Sequence, residues 1–512
     1  MLFKRSSRLA TILLATAAGY TQGADGLRIA TWNITHYNGD RAEQIGLVTY
    51  GSFNGQSFDP DVICLQEMNN RNAVFQLVDA LNDAQGSPGD WAAAPVYQDP
   101  RGYHHTALVY RTSKLEYFDS FLVEAGAAPP SQPRNVVRFD FHPAGYPGDE
   151  SILSVFPLHF KAGYTESDLA RKLVEAQIVA DHIRTLPADR HVVLGADLNI
   201  RYSEDPAYQA LNGVIPNTGV LLDPISRPGV WHNNRSFKNI HTQDPTPGAG
   251  GMDDRLDQVL LSPSLLDGSG FEYDGDFSTP WDLSTTQDPN HSLRAWGNDG
   301  TVFNQSLRVE GNAMVGEKIA QAIIDLADPD GHIPVFLDLD LPPKIRIIGQ
   351  NAQFGHLSPG QTAQALVRVG NGADADLWGT GGISPLRYSF ISQPNIDTPA
   401  GELNAQVNTQ MGAHVLTLTV PADAPLGPAK LNIEIESNDP ETPIALVTLN
   451  YTVVGCNPAD TAPPIGTLDF FDVSAFLDAF GAQRSSADLT GDSVYDFFDI
   501  SAFLGLFASG CT

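Results

Sequence analysis

The sequence is poor in basic residues, in cysteine and, beyond its start, in long apolar runs. Its 30 lysines and arginines stand against 60 aspartates and glutamates, which gives a formal net charge of −30 over 512 residues. Such a chain repels polyanions at long range, which argues against salt-sensitive, non-specific binding to nucleic acid. Phosphodiester chemistry stays open, because a bound divalent cation inverts the field inside a single cleft.

The apolar run at the N-terminus is short. Residues 1–26 read MLFKRSSRLATILLATAAGYTQGADG, with a basic start, about ten apolar residues and small residues near Gly23, which is the layout of a secretory signal. No other run approaches the roughly 18 apolar residues of a membrane span. We therefore expect a signal peptide over residues 1–23, a secreted or cell-surface protein, and no membrane span.

Cysteine is limited to three positions. Cys64 lies inside the apolar string DVICLQE, which predicts an inert buried thiol. Cys456 and Cys511 bracket the last segment, and in an oxidising exterior they are able to pair.

Apolar strands dominate residues 27–341. Strings such as LRIATWNI, DVICLQE, SILSVFPLHF, HVVLGADLNI and RLDQVLL have the length and composition of strands. Between two of them, SDLARKLVEAQIVADHIRTL places Leu169, Leu173, Ala176, Ile178 and Ile183 at near-helical spacing. Many strands and few helices favour an α+β architecture in which sheets pack on each other and helices lie outside.

Two further segments follow. Residues 344–455 hold strictly alternating strands, such as HVLTLTV and VTLNYTV, between turns rich in Gly, Pro, Asn and Asp, which predicts an all-β, Ig-like sandwich with a spacer or binding role. Within residues 456–512, LDFFDVSAFLDAF returns as YDFFDISAFLGLF. The apolar residues of each copy fall at i, i+3, i+4 and i+7, so we expect two amphipathic helices packed against each other.

A set of polar residues stands at or beside the strand ends of the first segment. Polar groups that converge at the rim of packed sheets form a site, because buried charges persist only when they are paired or bound to a metal. The set consists of Asn33, Glu67, His159, Asp197, Asn199, Asp257 and His332.

The residue types suit the hydrolysis of a phosphate ester. A hard cation such as Mg²⁺ takes carboxylate and amide oxygens, which suits Glu67 and Asn33. Asp197 beside Asn199 is placed to orient and deprotonate a water, and His159 and His332 are suited to donate to phosphate oxygens as charge develops. A carboxylate on the far ring nitrogen keeps such a histidine protonated, and Asp257 is the candidate partner of His332.

Six blocks, ATWNI, VICLQE, PLHFK, GADLN, RLDQVLLS and GHIPV, occur in this order. Together they resemble the signature blocks of the endonuclease/exonuclease/phosphatase superfamily over residues 27–341. The resemblance implies a four-layer α/β sandwich and Mg²⁺-dependent (or Mn²⁺-dependent) cleavage of a phosphate ester. It places Asn33 and Glu67 at the metal, Asp197 and Asn199 at the nucleophile, His159 and His332 at the phosphate, and Asp257 on His332.

Two further positions bear on the same resemblance. Arg134, in PRNVVRFDF, matches a strand-entry arginine that contacts phosphate in some members. The last block usually reads Ser-Asp-His, and its Asp supports the metal site. Here that position is Gly331, with Asp330 one step earlier. Asp330 therefore becomes a candidate metal-site residue, and a weakened site is the alternative.

Three functions remain at this point. The leading one is a secreted metal-dependent phosphodiesterase that acts as an extracellular nuclease. The second is a hydrolase of phospholipids or small phosphoesters, of the sphingomyelinase or inositol-phosphate phosphatase type, which the acidic balance favours. The third is a surface-binding protein whose catalytic site is impaired at Gly331.

The second helical copy in the C-terminal segment is preceded by a calcium-loop pattern. Oxygen-bearing residues occupy positions 1, 3, 5, 9 and 12 of DLTGDSVYDFFD, with a backbone carbonyl at position 7. The segment resembles a dockerin-type module, which implies binding of a protein partner or a surface anchor. The first copy has Ala462, Pro463 and Pro464 where acids are expected, so we predict one Ca²⁺ site. Its ligands are Asp488, Thr490, Asp492, Val494, Asp496 and Asp499.

Overall fold

The computed structural model describes residues 25–99, 105–126, 134–212, 220–248 and 250–511. The predicted signal peptide, residues 1–23, lies outside these ranges. No helix within them is long and apolar enough to cross a lipid bilayer.

The strands of the first part of the chain belong to two large sheets and one small hairpin. Their bounds are β1 Leu27–Tyr37, β2 Ser52–Phe53, β3 Gln56–Ser57, β4 Val62–Met68, β5 Trp91–Ala93, β6 His105–Arg111, β7 Leu115–Glu124, β8 Val136–Pro143, β9 Leu153–His159, β10 His191–Asp197, β11 Asp257–Leu261, β12 Glu272–Tyr273, β13 Arg294–Ala295 and β14 Val335–Asp340. The first large sheet has the order β12-β14-β1-β4-β6-β5, with β13 also paired to β14, and the second has the order β11-β10-β9-β8-β7.

Helices cover the outer faces of these two sheets. The helices of this part are α1 Ala42–Tyr50, α2 Arg71–Asp83, α3 Glu166–Ile183, α4 Pro206–Leu211 and α5 Gly316–Ala327. One core, which includes Ile29, Cys64 and Val193, fills the space between the sheets. A second core, which includes Trp32 and Ile323, joins the first sheet to α1, α2 and α5. The result is a mixed α/β sandwich, and Cys64 is a buried free thiol, as predicted.

The buried face of α3 differs from the face that apolar spacing predicts. Ala176 and Ile183 are buried as expected, together with Val179 and Ala180, but so are Lys172 and Glu175. The difference arises because both charged side chains reach backbone groups of neighbouring loops, where their hydrogen bonds offset the cost of burial.

Residues 345–453 form two packed sheets. The strands are β15 Ile345–Ile348, β16 Asn351–Leu357, β17 Thr362–Asn371, β18 Leu386–Phe390, β19 Ile396–Asp397, β20 Leu403–Ala405, β21 Gly412–Thr419, β22 Gly427–Ser437 and β23 Ile444–Val453. One sheet has the order β15-β17-β21-β19 and the other β16-β23-β22-β18-β20. Alternate residues of both, such as Val367, Leu416 and Val447, form a core of their own. A short helix, α6 Ala375–Trp378, interrupts the strand pattern.

Trp378 of α6 is buried in the core of the α/β sandwich. Its indole nitrogen donates to the carbonyl of Ala144 at 3.2 Å, and the Lys114 ammonium lies 4.6 Å from its ring centroid. Lys344 and Glu441 form an ion pair of 2.8 Å close by. The second and first parts of the chain therefore share a packed joint.

The C-terminal segment forms two helices, α7 Phe470–Gly481 and α8 Phe497–Ser509, as the repeat predicts. Phe476 and Phe503, equivalent positions of the two copies, stack with their ring centroids 4.1 Å apart. A disulfide joins Cys456 to Cys511 across the ends of the segment.

Candidate active site

The register of the second sheet aligns three of the predicted side chains. In the parallel pair β9 and β10, His159 stands opposite Asp197, and in the antiparallel pair β10 and β11, Asp197 stands opposite Asp257. In the first sheet, Asn33 of β1 pairs with Gln66 of β4, next to Glu67. The chain reaches His332 just before β14, which runs antiparallel to β1. These polar groups therefore meet at one end of both sheets.

Asp197 lies at the centre of this end and is almost fully buried. Its Oδ2 is 3.1 Å from Asn33 Nδ2, 3.3 Å from His159 Nε2 and 3.8 Å from His332 Nε2. Its Oδ1 accepts a hydrogen bond from the backbone nitrogen of Asn199 at 3.0 Å. One carboxylate thus collects donors from both sheets.

Burial raises the pKa of Asp197, and the negative charges of Asp257 and Glu67 act in the same direction. The positive charge of His332 and the hydrogen bond from Asn33 oppose that rise. A carboxylate with a raised pKa is a stronger base than a solvated one. Asp197 is therefore suited to accept a proton from a water molecule.

His332 is held by Asp257. Its Nδ1 lies 2.7 Å from Asp257 Oδ2, and the hydroxyl of Thr242 donates to the same oxygen at 2.6 Å. Burial lowers the pKa of His332, but Asp257 and Asp197 outweigh it and raise the pKa to about 10. The imidazole is therefore a cation at neutral pH, with Nε2 directed at the carboxylate of Asp197.

Asn199 adopts a left-handed backbone conformation, with φ of 52°. Its side-chain nitrogen donates to the carbonyl of Phe160 at 3.3 Å. Its own carbonyl accepts a hydrogen bond from the ammonium of Lys172, which α3 delivers from a fully buried position. The turn after β10 is thereby fixed from two sides, and Asp197 with it.

Glu67 is partly open to solvent, and its carboxylate faces Asn33. Asn33 Nδ2 lies 3.3 Å from Glu67 Oε1, while Asn33 Oδ1 accepts from the backbone nitrogen of Thr35. The amide nitrogen of Asn33 bridges the carboxylates of Glu67 and Asp197. The place of Asn33 and Glu67 at a metal ion stays a prediction.

Gly331 is packed against Thr35. A β-carbon built on Gly331 would lie 1.6 Å from Thr35 Oγ1 and 2.8 Å from the carbonyl oxygen of Ala327. A larger residue at this position would therefore require Thr35 or the backbone at Ala327 to move. Asp330 lies exposed on the preceding turn, outside the buried group around Asp197.

Arg134, predicted to contact the substrate phosphate, binds backbone. Its Nη1 donates to the carbonyls of His159 at 2.8 Å and Phe160 at 2.7 Å. Arg134 therefore caps the end of β9 and supports the His159 side chain from behind. A contact with phosphate stays a prediction for this half-buried residue.

The site offers two places for a metal ion. Asp197, Asp257 and His332 bring possible ligand atoms within 4.8 Å of one another. The short contact between His332 and Asp257, with the raised pKa of His332, favours a proton there over a metal. The carboxylates of Glu67 and Asp197, which repel each other across Asn33, are the donor set that a hard cation would relieve.

The sequence did not single out two residues that support the site, Lys172 and Thr242. Lys172 lies on the buried face of α3, four positions before Ala176, but a lysine in an apolar stripe does not by itself predict burial. Thr242 stands in an irregular loop, where no periodicity marks a buried hydroxyl. Its contact with Asp257 depends on the tertiary structure.

In the predicted calcium loop, two aspartate side chains accept hydrogen bonds from backbone amides of the same loop. Asp488 accepts from the amides of Gly491 and Ser493, at 2.8 Å in each case. Asp499 is buried and accepts from the amides of Leu489 and Thr490. In the first copy, Asp460 takes a comparable place, accepting from Cys456 and Gly466. Cation binding by either loop stays a prediction.

Residues 30–275 match the family model described as the endonuclease/exonuclease/phosphatase family. This range contains all of the site residues except Asp330 and His332. No curated protein matches the chain.

Several solved structures are similar to the chain at low identity. An endonuclease/exonuclease/phosphatase family protein from Bacteroides thetaiotaomicron is 16% identical, with coverage of 61% of this chain and 97% of that chain, at a TM-score of 0.36. D. rerio TDP2 complexed with a single-strand DNA product is 13% identical, with coverage of 61% of this chain and 98% of that chain, at a TM-score of 0.36. An endonuclease/exonuclease/phosphatase from Beutenbergia cavernae is 14% identical, with coverage of 83% of this chain and 100% of that chain, at a TM-score of 0.33.

Proposed function

We propose that residues 30–275, which match the endonuclease/exonuclease/phosphatase family model, belong to a domain that hydrolyses phosphodiesters with the help of Mg²⁺ or Mn²⁺, outside the cell, with nucleic acid as the leading substrate. The observation that carries the proposal is the Asp197 carboxylate. It meets Asn33, His159 and His332 within 3.8 Å at the end of two packed sheets.

In the proposed hydrolysis, the negatively charged Asp197 accepts a proton and the histidines stabilise negative charge. Asp197 accepts a proton from a water molecule as the water oxygen forms a bond to phosphorus. The bond between phosphorus and the leaving oxygen breaks, and the leaving oxygen takes up a proton from solvent. His332, held as a cation by Asp257, stabilises the negative charge that develops on the phosphate oxygens, and His159 adds a second donor.

Glu67 would hold the divalent cation, with Asn33 orienting its carboxylate. Such an ion supplies charge neutralisation for the phosphate oxygens. The fit is supported by the two carboxylates that face each other across Asn33. Replacement of Glu67 by Ala should therefore appear first as a higher Mg²⁺ requirement, and a metal titration equal to wild type would remove Glu67 from the site.

A second candidate function is the hydrolysis of phospholipids or small phosphoesters. The net charge of −30 favours it, because a strongly acidic surface slows the approach of long polyanions. In the third reading the catalytic site is impaired and the protein only binds.

A substrate panel separates these functions. Plasmid DNA, single-stranded DNA, RNA, sphingomyelin and inositol phosphates are each incubated with Mg²⁺ or with chelator. The proposal expects Mg²⁺-dependent cleavage of a nucleic acid, reduced on the order of 100-fold or more in Asp197→Ala. Asp181→Ala, at an exposed carboxylate on α3, serves as the matched control. Turnover of lipid or inositol phosphate alone supports the second function, and no turnover at all supports the third.

The proposal for the C-terminal segment is a dockerin-like module that binds one Ca²⁺ and attaches the protein to a partner or a surface. It is supported by the loop that Asp488 and Asp499 close before α8. Calorimetric titration of the full chain with Ca²⁺ should give a stoichiometry near one that Asp488→Ala abolishes. Two equal sites, or no binding, would contradict it.

A further inference from the structure

A second group of metal-ligating side chains lies beside the catalytic end of the sheets. His232, Asp253 and Asp254 each place a ligand atom within 4.8 Å of the other two. His232 Nδ1 is 2.8 Å from Asp254 Oδ1, and the two residues come from loops about twenty positions apart in the chain. None of the three belongs to the group around Asp197.

Backbone hydrogen bonds hold these loops together independently of any ion. The amide of Asn233 donates to the carbonyl of Asp253 at 2.8 Å, and the amide of His232 donates to the carbonyl of Arg201 at 3.2 Å. The carbonyl of Asp254 accepts from the amide of Thr242 at 2.7 Å. The ligand atoms are therefore carried by a preformed frame, as a selective site requires.

Each side chain presents a suitable donor. Asp254 is buried, and its Oδ2 faces the Arg201 guanidinium at 3.6 Å, which leaves Oδ1 directed at His232. Arg201 is itself fixed by stacking on Tyr164, with its guanidinium carbon 3.5 Å from the ring centroid. Asp253 is half-buried next to Asp254, and among the described residues no cation pairs with its carboxylate within 4 Å.

We propose that His232, Asp253 and Asp254 form a second divalent-cation site, for an ion such as Mn²⁺ or Zn²⁺, next to the group around Asp197. One imidazole nitrogen and two carboxylates, with solvent completing the shell, form a mixed donor set that such ions accept. Bonds of about 2.0–2.2 Å place ligand atoms about 3.3–3.6 Å apart. To admit an ion, His232 Nδ1 and Asp254 Oδ1 would separate from their present 2.8 Å, while the other ligand atoms, now within 4.8 Å of one another, would adjust around it.

The surroundings favour the ion electrostatically. Asp254 directs its Oδ2 at Arg201 and its Oδ1 at His232, and the carboxylate of Asp253 adds a second negative charge to the group. Thr242 connects the two centres, because its amide binds the carbonyl of Asp254 while its hydroxyl binds Asp257. The inference does not depend on catalysis, since it concerns ion binding alone.

The test counts bound Mn²⁺ by equilibrium dialysis in the full chain, with excess Ca²⁺ present to occupy the C-terminal loop. Two ions are expected in wild type. Glu67→Ala should bind one ion fewer than wild type. His232→Ala and Asp253→Asn should each weaken binding of the other ion about tenfold or more. A variant that combines Glu67→Ala with either of these should lose both ions. His356→Ala, at an exposed histidine of the β-sandwich, is the matched control.

A spectroscopic readout identifies the ligand. In the Glu67→Ala background, pulsed electron paramagnetic resonance should show coupling of the remaining Mn²⁺ to an imidazole nitrogen, and His232→Ala should remove it. An unchanged ion count in both His232→Ala and Asp253→Asn overturns the inference, as does nitrogen coupling that survives His232→Ala. Failure of the proposed hydrolysis leaves these counts intact, so the two ideas fail separately.

Discussion

At the residue scale, His332 shows how neighbouring carboxylates set the charge of a buried imidazole. Asp257 lies 2.7 Å from its Nδ1 and, with Asp197, outweighs the effect of burial. The block RLDQVLLS and the histidine of GHIPV were recognisable from the sequence. The hydroxyl of Thr242, which holds Asp257 in turn, was not, because its loop follows no repeat.

We predict that Asp257→Asn lowers the pH at which kcat/KM begins to fall on the alkaline side. In wild type, His332 stays protonated until the pH approaches about 10, so kcat/KM should fall only above that pH. Without the charge of Asp257 the pKa of His332 falls, and the loss of rate should begin at lower pH. The profile of kcat/KM, with the imidazole titration followed by NMR, checks this. An unshifted alkaline limb would contradict it.

Gly331 leads to a prediction about stability. A β-carbon there would overlap Thr35 Oγ1 and press on the carbonyl of Ala327, so Gly331→Ala should destabilise the protein by about 1–3 kcal/mol. The double variant Gly331→Ala/Thr35→Ala should recover part of that loss, since only the backbone contact remains. Urea unfolding of four proteins, the wild type, both single variants and the double variant, measures both effects, and additive losses in the double variant would refute the assigned clash.

At the scale of elements, α3 supports the site through charged residues on its buried face. The sequence predicts this helix well, since a capping box at Thr165 and Asp168 begins it and apolar residues recur along it. It does not predict that Lys172 points inward. That orientation depends on the carbonyl of Asn199, which the turn after β10 presents to the helix.

Replacing Lys172 by Met should therefore impair catalysis more than folding. Methionine fills a similar volume but leaves the Asn199 carbonyl without its donor, so the turn that carries Asp197 loses a fixed point. We expect kcat to fall on the order of 10-fold to 100-fold. Lys318→Met, at an exposed lysine of α5, should leave it unchanged. Equal kcat values for the two variants would show that Lys172 has no positioning role.

At the scale of the whole molecule, some of the excess acidic residues are clustered next to the end of β14. Glu272 and Asp340 are paired across β12 and β14, and Asp274 and Asp338 lie nearby. Burial first, and these neighbouring carboxylates second, raise the pKa of Asp340 to about 7. Burial also raises the pKa of Glu272 to about 7.

These shifts predict that Glu272 and Asp340 contribute stability that increases on mild acidification. Between the unfolded pKa of about 4 and the folded pKa near 7, the folded state binds more protons than the unfolded state, so stability falls as pH rises through this window. Asp340→Asn should reduce the difference in melting temperature between pH 5 and pH 8, whereas Asp79→Asn, at an exposed carboxylate of α2, should not. A pH dependence unchanged in Asp340→Asn would contradict the assignment.

Apolar alternation made the strands of residues 27–341 and 344–455 recognisable, but it gave no sign that these two parts pack against each other. Trp378 reads as a loop residue of the second half, yet its ring lies in the core of the first. No local pattern records this, because the contact joins residues more than two hundred positions apart.

The burial of Trp378 makes a protein cut at residue 343 a poor surrogate for the intact one. Such a fragment would keep every catalytic residue but present an indole-sized void beside Ala144, and Lys114 would lose its bond to the carbonyl of Leu377. Calorimetry of the full chain should accordingly show residues 27–455 melting in a single transition. Recombinant production of a stably folded protein should therefore need the β-sandwich to be present in the same chain.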